Sequence, residues 1–366
     1  MKIMPSKASQ IYLLSIAFLI LLSSCGKEDT EPSVAGYADG VFINCEGSFN
    51  ANNGSISWYN ADSGKIVNNL FETVNGRPAG DVIQSFALAG DHGVIVANNS
   101  GKIEIVDLVN FESVSSITGF SYPRFFVYAG NGKGYLTNGN IKGEVYKIDL
   151  TGGTVTDTIE VGMGPEQMII EGNHLFVANS GGWGFDNSVS VIDIRTDSVV
   201  ESIIVGDVPI AMVTDAEKNI WVLCRGQVVY NESWTEIAHE TDSKLVRIDP
   251  AAMAVDKEVI IGQKGDHFNP SWLAVSPDGL SLLFGEAEGT YAMGTDEDIQ
   301  PSAPLIKDGI FSAAGVHPGS GKILAVEIKD YSLPGLLHIY DGNMLISSME
   351  TGIAPGGVVF SGVSRP

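Results

Sequence analysis

The side chains best suited to chemistry in this sequence are aromatic rings and polar groups in predicted loops. Loops seldom bury large rings, so we expect these rings to cover the apolar faces of a large amphipathic ligand. Amide and guanidinium groups beside them would meet the polar periphery of that ligand. The predicted binding residues are Asn52, Asn98, Asn138, Asn179, Trp183, Phe185, Arg225, Gln227, Trp234 and Tyr331.

A structural interpretation is also open for the asparagines. Asn at the end of a strand often adopts a left-handed turn conformation and hydrogen-bonds its own backbone. That interpretation accounts for Asn98 and Asn138 taken singly, but not for aromatic residues in the neighbouring loops. Turns on the same side of the repeat add further candidates, namely Glu46, Phe49, Arg77, Tyr122, Glu166, His267 and Phe268.

Motifs for catalysis or for a bound metal are missing from the sequence. Its six His lack the spacing of metal ligands. No Gly-x-Ser-x-Gly, phosphate loop or dinucleotide fingerprint occurs in a strand–helix context. We therefore expect a binding protein that is not an enzyme, requires no cofactor and holds no metal.

The loops belong to a repeated unit with a Gly/Pro turn, an apolar strand, a second strand ending in Asn or Cys, and a third ending in Ile-Asp. The clearest copy begins at Gly162 and reaches Asp193, and the next begins at Val208 and reaches Asp249. A period of about 40–45 residues with four short strands is typical of a β-propeller blade. Because one blade cannot bury its own faces, the blades must pack around a common axis. The first strands are expected near Ile83, Phe125, Met168, Met212, Leu273, Ala314 and Val358.

The two ends of the repeated region complement each other. Residues 352–360 contain a turn and a first strand with no second strand after them, whereas the region opens on a second strand at 40–45. Pairing 358–360 beside 41–43 would complete the first blade and leave no free edge. The sequence thus predicts an all-β, seven-bladed β-propeller closed by the C-terminal strand.

The N-terminus has the features of a targeting segment. Lys2 and Lys7 precede an apolar run at 11–22, which is short for a membrane span, and small residues lead to Cys25. This order predicts that Cys25 is lipidated; an ordinary signal peptide with a chance Cys is the alternative. The predicted segments are a lipoprotein signal peptide at 1–24, the lipidated Cys with a flexible acidic tether at 25–39, and the propeller at 40–366.

The formal charge of −23 makes nucleic acid and anionic membrane surfaces poor partners. We therefore expect contact with a membrane through the lipid anchor only. With Cys25 lipidated, Cys45 and Cys224 fall at the ends of second strands in blades 1 and 5, which do not touch. Free buried thiols are expected there rather than a disulfide.

Two other parts of the repeat have structural interpretations. Asp at the Ile-Asp strand ends is expected to cap the tight turn that follows. Blade 6 lacks this ending, because the weak third strand at 291–293 is followed by an acidic run at 296–298. That blade is either distorted or holds a cation, or the acidic run is simply solvated.

The repeat phrases resemble those of the YncE-like seven-bladed propellers over roughly residues 40–360. The resemblance is carried by Gly-x-x-Pro-x-x-Met at 162–168, Val-Ala-Asn-Ser-Gly-Gly at 177–182 and Val-Ser-Val-Ile-Asp at 189–193. Within that group the chain is most similar to surface lipoproteins of gut Bacteroidota. Residues 41–49 are similar to their opening phrase, with Cys in place of its Asn, and residues 27–29 resemble their Lys-then-acidic export tag.

The best-understood of these relatives are the BtuG-type proteins, which capture cobalamin and pass it to an outer-membrane transporter. The resemblance implies a lipid-anchored protein at the cell surface of the outer membrane, a corrinoid ligand and a TonB-dependent transporter as partner. Two other functions stay open. One is an interaction scaffold of a surface uptake complex. The other is a metal-dependent, lactonase-like hydrolase whose cation is held by Glu46, Asn98, Asn138 and Asn179.

Overall fold

A computed structural model describes residues 36–265 and 270–362. The predicted signal peptide, Cys25, His267 and Phe268 lie outside the described residues. Within those ranges, seven four-stranded antiparallel sheets and one two-stranded hairpin account for the strands. The chain is therefore an all-β, seven-bladed propeller, as the repeat predicts.

The first four blades follow the chain in order. Blade 1 contains β1 (Gly40–Cys45), β2 (Ser55–Asn60), β3 (Lys65–Val67) and β30 (Pro355–Ser361). Blade 2 contains β4 (Ile83–Ala89), β5 (His92–Ala97), β6 (Lys102–Asp107) and β7 (Ser113–Thr118). Blade 3 contains β8 (Pro123–Gly130), β9 (Lys133–Asn138), β10 (Glu144–Asp149) and β11 (Thr154–Glu160). Blade 4 contains β12 (Pro165–Glu171), β13 (His174–Asn179), β14 (Ser188–Asp193) and β15 (Ser198–Ile204).

Blades 5 to 7 complete the propeller. Blade 5 contains β16 (Pro209–Thr214), β17 (Ile220–Cys224), β20 (Ser243–Asp249) and β21 (Ala254–Gly262), with β18 (Val228–Tyr230) and β19 (Ile237–Glu240) as an inserted hairpin. Blade 6 contains β22 (Leu273–Val275), β23 (Ser281–Glu286), β24 (Gly289–Gly294) and β25 (Ile306–Lys307). Blade 7 contains β26 (Ala313–Val316), β27 (Ile323–Glu327), β28 (Pro334–Asp341) and β29 (Met344–Ile353). One short helix, α1 (Leu70–Asn75), follows β3.

The C-terminal strand closes the propeller in the predicted register. β30 is the inner strand of blade 1, where Phe360 lies opposite Val41, Val359 opposite Phe42 and Val358 opposite Ile43. Because Val41, Phe42 and Ile43 are completely buried, both neighbours of β1 are needed to cover it. The first and last described strands thus share one sheet, and the inner edge of blade 1 is paired.

The core runs around the propeller between adjacent blades. In blade 1 the Phe42 ring lies 4.6 Å from the Phe86 ring of blade 2, and 5.6 Å from Phe111 in the turn that follows β6. The second strands are buried along most of their length, since each is covered by neighbouring blades on both faces. Outer strands such as β15 are mostly exposed. Burial therefore requires the full set of blades.

Turns after the third strands are held by the predicted Asp caps. Asp107 Oδ1 accepts from the Val109 N–H at 2.7 Å, and Asp149 Oδ1 accepts from the Thr151 N–H at 2.9 Å. Asp193 and Asp249 accept in the same way at 2.9 and 2.8 Å. These carboxylates fix the outer ends of the blades, on the side where the third strand leads into the fourth.

The remaining structural expectations have mixed outcomes. Cys45 and Cys224 are buried and free, as predicted. In blade 6, β24 is a regular strand, and the reduced element is β25 with two residues. The helix α1 is not indicated by the sequence pattern, because six residues are too few to show a helical period.

Candidate functional site

A cavity of about 910 Å³ opens on the rim where the first strands begin and the second-to-third-strand loops gather. Its mouth is lined by aromatic residues, here called the aromatic rim: Tyr122, Trp183, Phe185 and Tyr331. Five of its charged and amide residues, here called the polar wall, are Glu46, Gln84, Arg124, Glu166 and Arg225. A cavity of this size suits a ligand at the upper end of the drug-sized range.

Arg124 and Glu166 form the best-defined contact of the polar wall. Arg124 Nε donates to Glu166 Oε2 at 2.9 Å, and Nη2 donates to Oε1 at 3.0 Å. The third side of the guanidinium, Nη1, donates to Gln84 Oε1. Such a bidentate pair is among the stronger side-chain hydrogen bonds. Arg124 therefore has its donors engaged within the protein and links blades 2, 3 and 4.

Arg225 differs from Arg124 because its Nε, which is shielded from solvent, forms no hydrogen bond with any described residue. Burial lowers the pKa of Arg225, and the Arg124 charge acts in the same direction, while the Glu166 charge opposes both. The group nevertheless stays protonated, because the ordinary pKa of arginine lies far above neutrality.

Glu46 adds a carboxylate to the polar wall. Burial raises its pKa, and the Arg124 charge partly offsets this. The loop that carries Glu46 is anchored by backbone bonds, with the Glu46 N–H donating to Ala354 O at 2.9 Å. The backbone of Glu46 is therefore held by the residue that directly precedes β30, the strand that closes the propeller.

The aromatic rim is continuous with the polar wall. The Trp183 ring lies 6.0 Å from the Tyr122 ring, and Arg124 Cζ lies 5.8 Å from the Tyr122 ring centroid. Trp183 is 81% exposed, and Phe185 and Tyr331 are also exposed. Large exposed rings around a concave site offer apolar area at low cost in conformational entropy.

The loop that carries Trp183 depends on glycines that allow close backbone contact. Gly164 has φ 59°, and a Cβ on it would lie 1.8 Å from Gly182 N. Two backbone bonds hold the loop here, from Ser180 N–H to Gly164 O at 2.9 Å and from Gly181 N–H to Met163 O at 2.8 Å. The position of Trp183 is therefore set by the turn that enters β12.

Four predicted binding residues, Trp183, Phe185, Arg225 and Tyr331, line the cavity. Asn98, Asn138 and Asn179 do not: they are buried and bonded within the fold. Asn98 Nδ2 donates to Pro123 O of the next blade at 2.8 Å. Asn138 Oδ1 accepts from the Tyr122 N–H at 2.7 Å, and Asn179 Nδ2 donates to Ser190 Oγ at 2.9 Å. The three amides thus connect strands and blades.

The last three predicted residues lie away from the cavity lining. Asn52, with φ 52°, lines a separate cavity of about 430 Å³. Gln227 forms backbone bonds with Thr241, its N–H donating to Thr241 Oγ1 at 2.9 Å. Trp234 is 79% exposed in the inserted hairpin and stacks 5.8 Å from the Tyr230 ring.

Several lining residues were missed although the repeat marks their position. They lie at or near the start of each first strand, usually directly after a Pro, and their spacing places one in every blade. The residues at this position that line the cavity are Gln84, Arg124, Glu166, Ile210, Ser271, Ala313 and Gly356, and of these only Glu166 is among the candidates predicted from the sequence. The signal that identifies them is the position after the turn Pro, not the residue type.

The described residues contain neither a metal-binding cluster nor a membrane-spanning helix. In ranges 36–265 and 270–362, no three His, Cys, Asp or Glu side chains are grouped so that they could hold a metal ion. Nor is any helix in these ranges long and apolar enough to cross a membrane.

Comparison with solved structures supports the fold. A quinonprotein alcohol dehydrogenase-like protein from Bacteroides thetaiotaomicron superposes with a TM-score of 0.62 at 11% identity, covering 89% of this chain and 79% of that one. Hydrazine synthase from Kuenenia stuttgartiensis superposes with a TM-score of 0.57 at 15% identity, covering 74% and 87%. At these identities the similarity concerns the fold alone.

Comparison with known sequences identifies a family of undetermined function. No curated protein matches the chain. The family model described as "Domain of unknown function (DUF5074)" matches residues 39–290, from the start of blade 1 into the third strand of blade 6. Since the match covers more than half of the chain, this protein belongs to the DUF5074 family.

Proposed function

We propose that the rim cavity captures a large amphipathic ligand without altering it chemically, and that this ligand is a corrinoid such as cobalamin. The protein would act as a lipoprotein, anchored through Cys25 at the outer face of the outer membrane. It would deliver the ligand to a TonB-dependent transporter. The small residues before Cys25, the acidic tag at 27–29 and the resemblance to BtuG-type proteins support the location and the partner.

The observation that carries this proposal is the combination of an aromatic rim with a polar wall around one cavity. A corrinoid has a broad ring with an apolar edge and peripheral amide groups. Trp183, Phe185 and Tyr331 offer apolar contact to such an edge, and Arg225 and Ser271 offer polar contact. Backbone bonds hold these loops in place, so little ordering entropy is lost on binding.

The hydrogen bonds of the rim favour capture over hydrolysis. None of the amides that a lactonase-like site would use, Asn98, Asn138 and Asn179, lines the cavity, and Asn138 Oδ1 already accepts from the Tyr122 N–H. Both carboxylate oxygens of Glu166 accept hydrogen bonds from Arg124, so this side chain is engaged in holding the polar wall together.

Titration of purified protein with cyanocobalamin, followed by calorimetry and by tryptophan fluorescence, tests the proposal. Trp183→Ala should weaken binding by about 2 kcal/mol if the ring is buried against the ligand. Trp234→Ala is the matched control, because it removes an equally exposed Trp outside the cavity lining. No heat and no fluorescence change at micromolar wild-type protein would exclude this ligand and leave the scaffold function ahead.

The location is tested separately in cells. Cys25→Ala should release the protein from the membrane fraction. Protease added to intact cells should degrade the wild-type protein. If the protein survives protease in intact cells but is degraded in permeabilised cells, the predicted display at the cell surface is wrong.

A further inference from the structure

Arg225 is a cation of the cavity for which the described part of the chain offers no acceptor. Its Nε is buried without a partner, whereas Arg124 nearby donates from Nε, Nη1 and Nη2 to Glu166 and Gln84. A buried donor without a partner costs free energy, and at the wall of a cavity a bound ligand is one way to satisfy it. The two arginines therefore have different roles. Arg124 holds the polar wall together, and Arg225 is available to bind a ligand.

The backbone around Arg225 is fixed before any ligand arrives. The Arg225 N–H donates to Val208 O at 3.1 Å, and Ser243 Oγ donates to Arg225 O at 2.8 Å. The next N–H, from Gly226, donates to Asp207 O at 3.0 Å. Val208 itself has φ 57°, a rare conformation for a β-branched residue that costs free energy. Val82 has φ 53° at the equivalent turn of blade 2, so this conformation belongs to the repeat, and it is the backbone hydrogen bonds that hold Arg225 in place.

We propose that Arg225 binds an anionic group of the captured ligand, a phosphodiester or a carboxylate. The guanidinium matches the planar or tetrahedral oxygens of both groups. The chain carries a net charge of −23 and repels anions at long range, so a dedicated cation inside the cavity is needed to accept one. The identity of the ligand as a corrinoid rests on the proposed function, but the anion site does not.

Thermal denaturation with simple anions tests the site without any corrinoid. Inorganic phosphate and acetate are each raised at constant ionic strength, for wild type, Arg225→Gln and Arg195→Gln. Arg195 is a matched control, because it is paired with Asp193 at the outer end of blade 4. We expect at least one anion to raise the midpoint of wild type and of Arg195→Gln, but not of Arg225→Gln. The preferred anion distinguishes phosphate from carboxylate.

The same experiment contains its own check on folding. In plain buffer, Arg225→Gln should melt at or above the wild-type midpoint, because the substitution removes an unpaired charge. No protection of the wild type by either anion, or equal protection of wild type and Arg225→Gln, would overturn the inference. If an anion raises the midpoint of wild type and Arg195→Gln but not of Arg225→Gln, and cobalamin does not bind, the anion site is supported and the proposed ligand is rejected.

A pair of corrinoids then separates the anion from the ring. Cyanocobalamin carries a phosphodiester, which cobinamide lacks. If the anion is that phosphodiester, Arg225→Gln should weaken cobalamin binding about 10- to 100-fold and leave cobinamide binding unchanged. Equal affinity of wild type and Arg225→Gln for cobalamin would contradict the role of Arg225 while leaving capture by the cavity intact.

Discussion

Removing the C-terminal strand should destabilise the whole propeller. A chain that stops after Ala354 lacks β30, which is the inner strand of blade 1. It loses the pairing of Val358 with Ile43 and of Phe360 with Val41. Blade 1 would then expose an unpaired strand edge, and the core between blades 7 and 1 would open.

The magnitude follows from the side chains involved. Val358, Val359 and Phe360 are half-buried. Full burial of such a side chain stabilises the fold by about 1.5–3 kcal/mol, so losing each of these three should cost about 1 kcal/mol of unfolding free energy. Partial exposure of the completely buried side chains of β1 adds a similar amount. The total of about 6 kcal/mol is comparable with the entire free energy of unfolding of many proteins.

Circular dichroism melts measure this effect. The truncated chain should melt at least about 10 °C below the full chain, or fail to fold. A chain that stops after Gly362 is the control, because it keeps β30 complete. Coincident melting curves for the chains that stop after Ala354 and Gly362 would show that β30 does not close the propeller.

Three further predictions concern other parts of the fold. Burial alone would raise the pKa of Glu104, but hydrogen bonds from Arg77 and its other partners outweigh burial and lower that pKa. Glu104→Gln should therefore reduce the unfolding free energy measured by urea denaturation at pH 7 by about 2 kcal/mol. That difference should disappear as the pH falls through the folded-state pKa, since a lowered carboxyl pKa stabilises the fold only above it; a pH-independent difference would contradict the assignment. Gly164→Ala should displace the Trp183 loop and weaken ligand binding, because a Cβ there would lie 1.8 Å from a backbone nitrogen; unchanged melting and binding would contradict this contact. Burial raises the pKa of the Cys45 thiol to about 11, so a thiol reagent should modify it in urea but not in buffer, and rapid labelling of folded protein would show that the thiol is accessible.

Much of the fold was predictable because the information is local and repeated. Each blade carries its own turn and its own apolar strands, and blades 2 to 5 each add an Asp cap, as at Asp107 and Asp149, so one copy can be recognised from the others. Closure by β30 was predictable for a related reason: a lone first strand and a lone second strand at opposite ends of the chain have each other as the obvious partner. The short helix α1 had no such repeated signal.

The aromatic part of the site was predictable from residue type and loop position. Trp183, Phe185 and Tyr331 stood out because large rings in loops have no core of their own blade to enter, and all three line the cavity. Arg124 and Gln84 were overlooked, because each follows a turn and begins an inner strand, where residue type alone indicates nothing unusual.

What the sequence by itself determined is the repeat, and hence the fold and the side of the propeller that carries the rim. Only the tertiary structure decided which residues at equivalent positions face the cavity. Asn98 and Arg225 both lie next to the end of a second strand, yet Asn98 bonds to the next blade and Arg225 lines the cavity unpaired. The Arg124–Glu166 pair joins residues 42 positions apart. Hydrogen-bond partners come from the neighbouring blade, so their identity depends on how the blades pack, which no local pattern contains.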